Sequence, residues 1–190
     1  MVKERLLLMN VFEGWNGYQH SLLKAISPLT REQLVWRPAS HLRSVGELAR
    51  HIALGRVDWF ARMDAPGSRE LTDQIKAWEE DQYGNRYVVH DAVVEADQAS
   101  ELIKWLEASW EMIDKTLKTW TVDDLMQTYR HTYRGTTYAV SHQWTLWRIM
   151  AHDLHHGGEL AMMLGLQGLK NFELGDMGGH IVEPPTIDQS

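Results

Sequence analysis

The chain has 190 residues, 44% of them hydrophobic and 24% charged, the balance of one folded domain rather than of a disordered chain. Its net charge of -7 comes without any stripe of Lys or Arg, which argues against a nucleic-acid surface, because phosphate contacts need clustered positive charge. The absence of cysteine removes disulfides, thiolate zinc sites and thiol nucleophiles.

The first helix is marked by Leu8, Phe12, Trp15, Leu22 and Ile26 on one face, the period of an amphipathic α-helix. Ser27-Pro28 ends it, since the residue before a proline is pushed out of the α region. Residues 30–34 add a further helical turn before Pro38. Ser44-Val45-Gly46-Glu47 reads as a capping box, opening a second helix whose buried stripe is Val45, Leu48, Ile52, Trp59 and Met63 and which Pro66-Gly67 stops. Residues 71–80 are expected to form a short helix, with Gly84-Asn85 as a turn. A third long helix is expected over residues 92–120, with Leu102, Leu106, Ile113 and Leu117 on one side.

After it the period changes. Residues 128–133 and 136–140 are rich in strand formers and flank Arg134-Gly135, the pattern of a small hairpin. Ser141 caps a fourth long helix that ends near Gly165 or Gly168. Residues 1–168 are read as one domain and 169–190, with Gly178-Gly179 and Pro184-Pro185, as a loop-rich tail. Four long helices and one hairpin predict an all-α four-helix bundle. The longest apolar run, Leu6 to Met9, is far short of the ~20 residues of a transmembrane span. The first residues lack signal-peptide character, so a cytoplasmic location without membrane contact is the expectation.

Ten His and nine Trp are the unusual feature. His152 and His156 stand one helical turn apart on one face, the spacing at which a helix offers two imidazoles to one metal. A solvated pair near a helix end has the same spacing. Glu159 projects about 20° from His152 on the helical wheel, as a partner that orients His156 or as a general base. Gly157-Gly158 is costly inside a helix and suits close approach of a neighbour. A third ligand must come from another helix. His51 lies at the edge of the second helix's apolar stripe beside Leu48 and Gly55, although a lone histidine there also reads as a boundary residue. His155 points about 60° away from His152, and Asp153, about 100° around the helix, is placed outside the site. His20 lies on the polar side of the first helix, and His41, His90, His131, His142 and His180 carry no supporting pattern. Trp15, Trp59 and Trp110 read as packing, as do Trp144 and Trp147, which could instead shape a pocket before the His pair.

Two segments resemble the DinB/YfiT-like superfamily. Residues 46–53, running Gly-Glu-Leu-Ala-Arg-His-Ile-Ala and on to Trp59-Phe60, are similar to that family's second-helix histidine motif. Residues 152–160, His-Asp-Leu-His-His-Gly-Gly-Glu-Leu, are similar to its His-x-x-x-His-x-Gly-Glu/Gln motif. The resemblance spans residues 5–168 and implies an up-down-down-up bundle, a divalent metal held by His51, His152 and His156, and frequent homodimers. It also implies kinship with thiol-dependent transferases and isomerases. Many members have Arg where Gly157 and Gly165 stand, and some have Glu where Arg56 stands, which leaves the cosubstrate open. Three neutral imidazoles suit zinc or nickel, with iron compatible. They leave positions open for a substrate, and such an ion brings a thiol or water towards its anion near neutral pH. The expected activity is thiol-dependent transfer or isomerisation of a small electrophile. The alternatives are a metal-dependent hydrolase with water as nucleophile, or a binding module without turnover. The fourth helix carries a second apolar face at Leu146, Met150, Leu154, Ala161 and Leu164, which is read as a homodimer interface.

Overall fold

A computed structural model describes residues 6–169; the expected tail, with His180, lies outside them. The described chain is mostly helical. Its six helices are α1 (Glu13–Ile26), α2 (Arg31–Val35), α3 (Val45–Arg62), α4 (Ser68–Thr72), α5 (Ala99–Thr119) and α6 (His142–Leu166). Two antiparallel hairpins complete it, β1 (Trp78–Glu80) with β2 (Arg86–Val88), and β3 (Thr128–Tyr133) with β4 (Thr136–Ser141).

The start signals at Ser44 and Ser141 act as read. The Ser44 hydroxyl accepts from Glu47 N while Glu47 accepts from Ser44 N; Thr30 and Gln33 form the same reciprocal cap on α2, where the sequence pattern predicts only a helical turn. Ser141 closes β4 and accepts from Trp144 N to open α6. Each such cap satisfies N–H groups that the first helical turn cannot. The turn of the β3–β4 hairpin is Arg134-Gly135, both at positive φ (49° and 80°), as a two-residue loop matching the strand twist requires.

Three boundaries differ from expectation. Leu8 sits in a separate 3-10 turn, tied by its N–H to Trp120 O at 3.0 Å, and α1 begins only at Glu13. The helix expected over 71–80 stops at Thr72, and residues 78–80 are strand. Asp81 decides this: its carboxylate accepts from Tyr83 N and Asn85 N at 2.9 Å each, a local turn that competes with helix. α5 begins at Ala99 rather than 92, because residues 90–92 form a 3-10 turn that places His90 against α3.

α3 is the central helix. It packs on α5 and α6, and α1 packs on α5. Leu22, Ile26, Ile52, Leu54, Phe60, Leu102, Leu106, Ile113, Leu146 and Leu160 are fully buried between these four, and burying each such side chain contributes about 1.5–3 kcal/mol. The second apolar face expected on α6 is divided. Leu146 and Leu164 belong to this core, while Leu154 is 48% exposed, and Trp147 and Met162 rather than Met150 and Ala161 complete the outward stripe. No described helix is long and apolar enough to cross a membrane.

Candidate metal centre

α3 and α6 bring His51, His152 and His156 together across their packing seam, with one ligand nitrogen of each within 4.8 Å of the others. The Nε2 atoms of His51 and His152 are 3.1 Å apart. Two imidazoles bound to one tetrahedral zinc at about 2.0–2.1 Å would hold their nitrogens at nearly that separation. The ring centroids lie 4.9, 4.8 and 4.4 Å apart for the pairs 51–152, 51–156 and 152–156.

Both α6 imidazoles face a carboxylate on the side away from the cluster. Glu159 Oε2 accepts from His156 Nδ1 at 2.6 Å, leaving Nε2 for the centre. Asp153 Oδ1 lies 3.6 Å from His152 Nδ1, too long for a hydrogen bond and therefore an electrostatic contact between two buried atoms that have no hydrogen-bond partner. This corrects the placement of Asp153 outside the site. Carboxylates behind metal-ligating histidines fix tautomer and ring orientation. Burial favours the neutral form of His51 and His156, the form a ligand must take. It lowers His51 to about 3, helped by the charges of Arg43 and its histidine neighbours. Burial also lowers His156, against the opposing pull of Glu159.

Beneath the triad lies a buried polar hub that sequence reasoning missed. Arg56, fully buried, donates from Nε to Asp153 Oδ2 at 2.9 Å and from a terminal nitrogen to Gln19 Oε1 at 2.7 Å. Trp15 Nε1 donates to the same Asp153 oxygen at 2.8 Å, and Tyr18 donates to the Asp153 carbonyl. Ser109 of α5 lies 3.5 Å from Arg56. Trp15 thus combines packing with a hydrogen bond. Burial alone would raise the Asp153 carboxyl, but the Arg56 guanidinium and the donated bonds hold it below the ordinary carboxylate value. The signal was available: an arginine inside an apolar helical stripe needs a buried partner.

Two glycines make room for this arrangement. A Cβ on Gly55 would stand 3.0 Å from His152 Cε1, and one on Gly157 would stand 2.5 Å from Tyr18 Oη. Gly158 faces open space, so close approach explains only the first glycine of that pair.

The remaining histidines separate. His90 comes to 5.5 Å from His51, ring to ring, and 3.5 Å from Asp58; only the turn before α5 brings it there. His155 is exposed and lies 3.5 Å from Glu159. With His156 and Glu159 it forms a second possible ligand group, but the bond from His156 Nδ1 already engages that carboxylate. His142 stacks on Trp120, and His131 meets the edge of Trp59. His20 and His41 are exposed. On the His51 side of the triad, Arg43, Glu47, Arg50, His51, His90 and Asp91 line a small cavity of about 230 Å³.

The model of the DinB superfamily matches residues 17–160. The chain belongs to the DinB superfamily. A DinB-like protein from Bacillus cereus has a similar fold, with a TM-score of 0.60 over 85% of this chain and 93% of that one, at 18% identity. No curated protein matches the sequence. The matched region of this DinB-superfamily chain contains the entire histidine triad, Asp153 and Glu159.

Proposed function

We propose that this chain is a metal-dependent enzyme that transfers or isomerises a small electrophile with a low-molecular-weight thiol as cosubstrate. The observation that carries it is the convergence of three buried or half-buried imidazoles, two of them backed by carboxylates and the third, His51, lining a small cavity with Arg43 and Arg50. His51, His152 and His156 would hold the ion, and an all-nitrogen donor set suits zinc or nickel, with iron compatible. A divalent ion there supplies Lewis acidity and brings a bound thiol towards its thiolate near neutral pH.

The chain's own residues have separate tasks in this reading. Glu159 positions His156 and is the nearest candidate for accepting a proton, with Asp153 steadying His152 from beneath. Arg43 and Arg50 orient carboxylates of the thiol or of the electrophile in that cavity. We also read the four long helices as an up-down-down-up bundle and the outward apolar stripe of α6 as the contact of a cytoplasmic homodimer, both on the family resemblance.

The test is metal analysis combined with turnover. Purified protein is expected to carry about one divalent ion per chain and His51→Ala to lose most of it, because two imidazoles on one helix leave the ion without its third ligand. A panel of low-molecular-weight thiols, glutathione among them, is then assayed with a halonitroarene. Metal-dependent thiol consumption that His51→Ala abolishes supports the reading. Ester or amide hydrolysis without thiol replaces it with a hydrolase, and a metal-loaded protein active in neither assay replaces it with a binding module.

A further inference from the structure

We propose that the cavity between α3, α6 and the β3–β4 hairpin binds a planar aromatic anion, an aryl carboxylate in its simplest form. The cavity measures about 700 Å³ and is lined by Trp59, Arg62, His131, Tyr138, Trp144 and Arg148, among others, and by none of the triad histidines. That volume falls within the range of small-molecule sites, roughly 300–1,000 Å³.

Its walls follow from three local periodicities. Trp59 and Arg62 are three apart on α3, and Trp144 and Arg148 four apart on α6, so each pair shares a helix face. His131 and Tyr138 are direct cross-strand partners in the hairpin register, which puts both on one face of it. The α3–α6 packing joins the three pieces into one enclosure.

The charge inside is positive, and the carboxylates that act on it, Asp58 and Asp81 on Arg62, do so without direct contact, while an Arg62 terminal nitrogen donates to the Arg86 carbonyl at 3.3 Å. The guanidinium carbons of Arg62 and Arg148 lie 4.3 and 4.6 Å from the Trp59 ring centroid, and Arg148 also lies 5.4 Å from Trp144. Stacking on an indole face offsets part of the mutual repulsion of two cations. Among the described residues, neither guanidinium is in an ion pair with a carboxylate, and Arg62 Nε is buried without a hydrogen-bond partner. A carboxylate entering between them gains charge-assisted hydrogen bonds that the protein itself does not supply.

The flat part of the ligand has its own surfaces. Trp144 and Tyr138 are about half exposed, and Trp59 stands 5.7 Å from Trp144 and 5.3 Å from His131, ring to ring. Aromatic faces concentrated in a concave space gain by stacking a further ring. Charge and ring faces meet at the same place, so one molecule carrying both features fits better than a bare anion or a neutral arene. This site is independent of the metal reading. Arg148 precedes His152 by one turn of α6, so the two sites are neighbours along that helix, and the cavity lining includes none of the triad.

The experiment is calorimetric titration of the full chain with 2-naphthoate and with neutral 2-naphthamide. Saturable one-to-one binding of naphthoate is expected, with the amide about tenfold weaker, the loss of one charge-assisted contact. Arg148→Gln, at an exposed position that leaves the core alone, should weaken naphthoate about tenfold and leave the amide unchanged. Trp144→Ala should weaken both. Chelation and His51→Ala should leave naphthoate affinity as it was. The proposal is overturned by equal affinity for acid and amide, by Arg148→Gln binding naphthoate as the wild type does, by loss of binding on chelation, or by no binding at millimolar naphthoate.

Discussion

Arg56 and Asp153 are paired at 2.7 Å with neither side chain exposed to solvent, and Asp153 adjoins the triad histidine His152 in the chain. The pair is the centre of a hub to which α1 contributes Trp15 and Gln19, α3 Arg56, α5 Ser109 and α6 Asp153. All four long helices therefore meet at one set of hydrogen bonds, and His152 is the residue just before Asp153 on α6. Fixing Asp153 fixes the register of the helix that carries two of the three candidate ligands.

Removing one partner of such a pair leaves the other charge buried and alone. Asp153→Asn is expected to destabilise the protein by about 3–5 kcal/mol, seen as a lower urea midpoint at unchanged slope. A loss below about 1 kcal/mol, the scale of an exposed pair, would show that water reaches the hub.

Gly55→Ala separates folding from metal binding. Alanine improves the helix by about 1 kcal/mol in propensity, but its Cβ would sit 3.0 Å from His152 Cε1 and must displace that ring by a few tenths of an ångström. The variant is expected to be helical and at least as heat-stable as the wild type when metal-free, yet to bind zinc more weakly in a competition titration with a chromogenic chelator. Undiminished zinc affinity would mean that the imidazole has room to swing.

The metal-free protein should lose stability as pH falls. His51 is lowered to about 3, and His131, His142 and His156 are also lowered, all chiefly by burial. Between the ordinary histidine value of about 6.5 and these folded values, the unfolded chain binds more protons, so stability rises with pH through that window and falls on acidification. The melting temperature in chelator is expected to be flat above pH 7 and to drop from pH 6.5 to pH 4.5. His142→Phe, which can keep a ring stacked on Trp120, should make that drop shallower.

The outward face of α6 carries Trp147, Leu154 and Met162, all about half or more exposed. A self-association across it would bury these three from each copy. Leu154→Glu is therefore expected to give a folded monomer with wild-type helicity, against a dimeric wild type, by light scattering at micromolar concentration. A monomeric wild type would leave the stripe unpartnered and remove the homodimer reading.

What the sequence determined by itself is what depends on neighbours along the chain. The capping boxes at Thr30 and Ser44, the Ser141 cap and the Arg134-Gly135 turn are local, because each hydrogen bond or backbone angle involves residues at most three apart. The one-turn spacing of His152 and His156 is local too, and Glu159, one turn further, meets His156 as that spacing implies. His51 entered through its place on the edge of an apolar stripe together with the family motif. The tertiary structure decided everything that needed a second element. It ended the helix expected over 71–80 through the turn at Asp81, brought His90 beside His51, and turned Asp153 from the side of α6 into the partner of Arg56. It also gathered Trp59, read as packing, Trp144, read as packing or as a pocket wall, and the hairpin aromatics, read only as strand formers, around a cavity. The physical reason is the same in every case. A helical wheel reports the direction in which a side chain leaves its own helix, while its partner is set by the packing of α3 against α5 and α6 and of α1 against α5, which no single-helix period encodes.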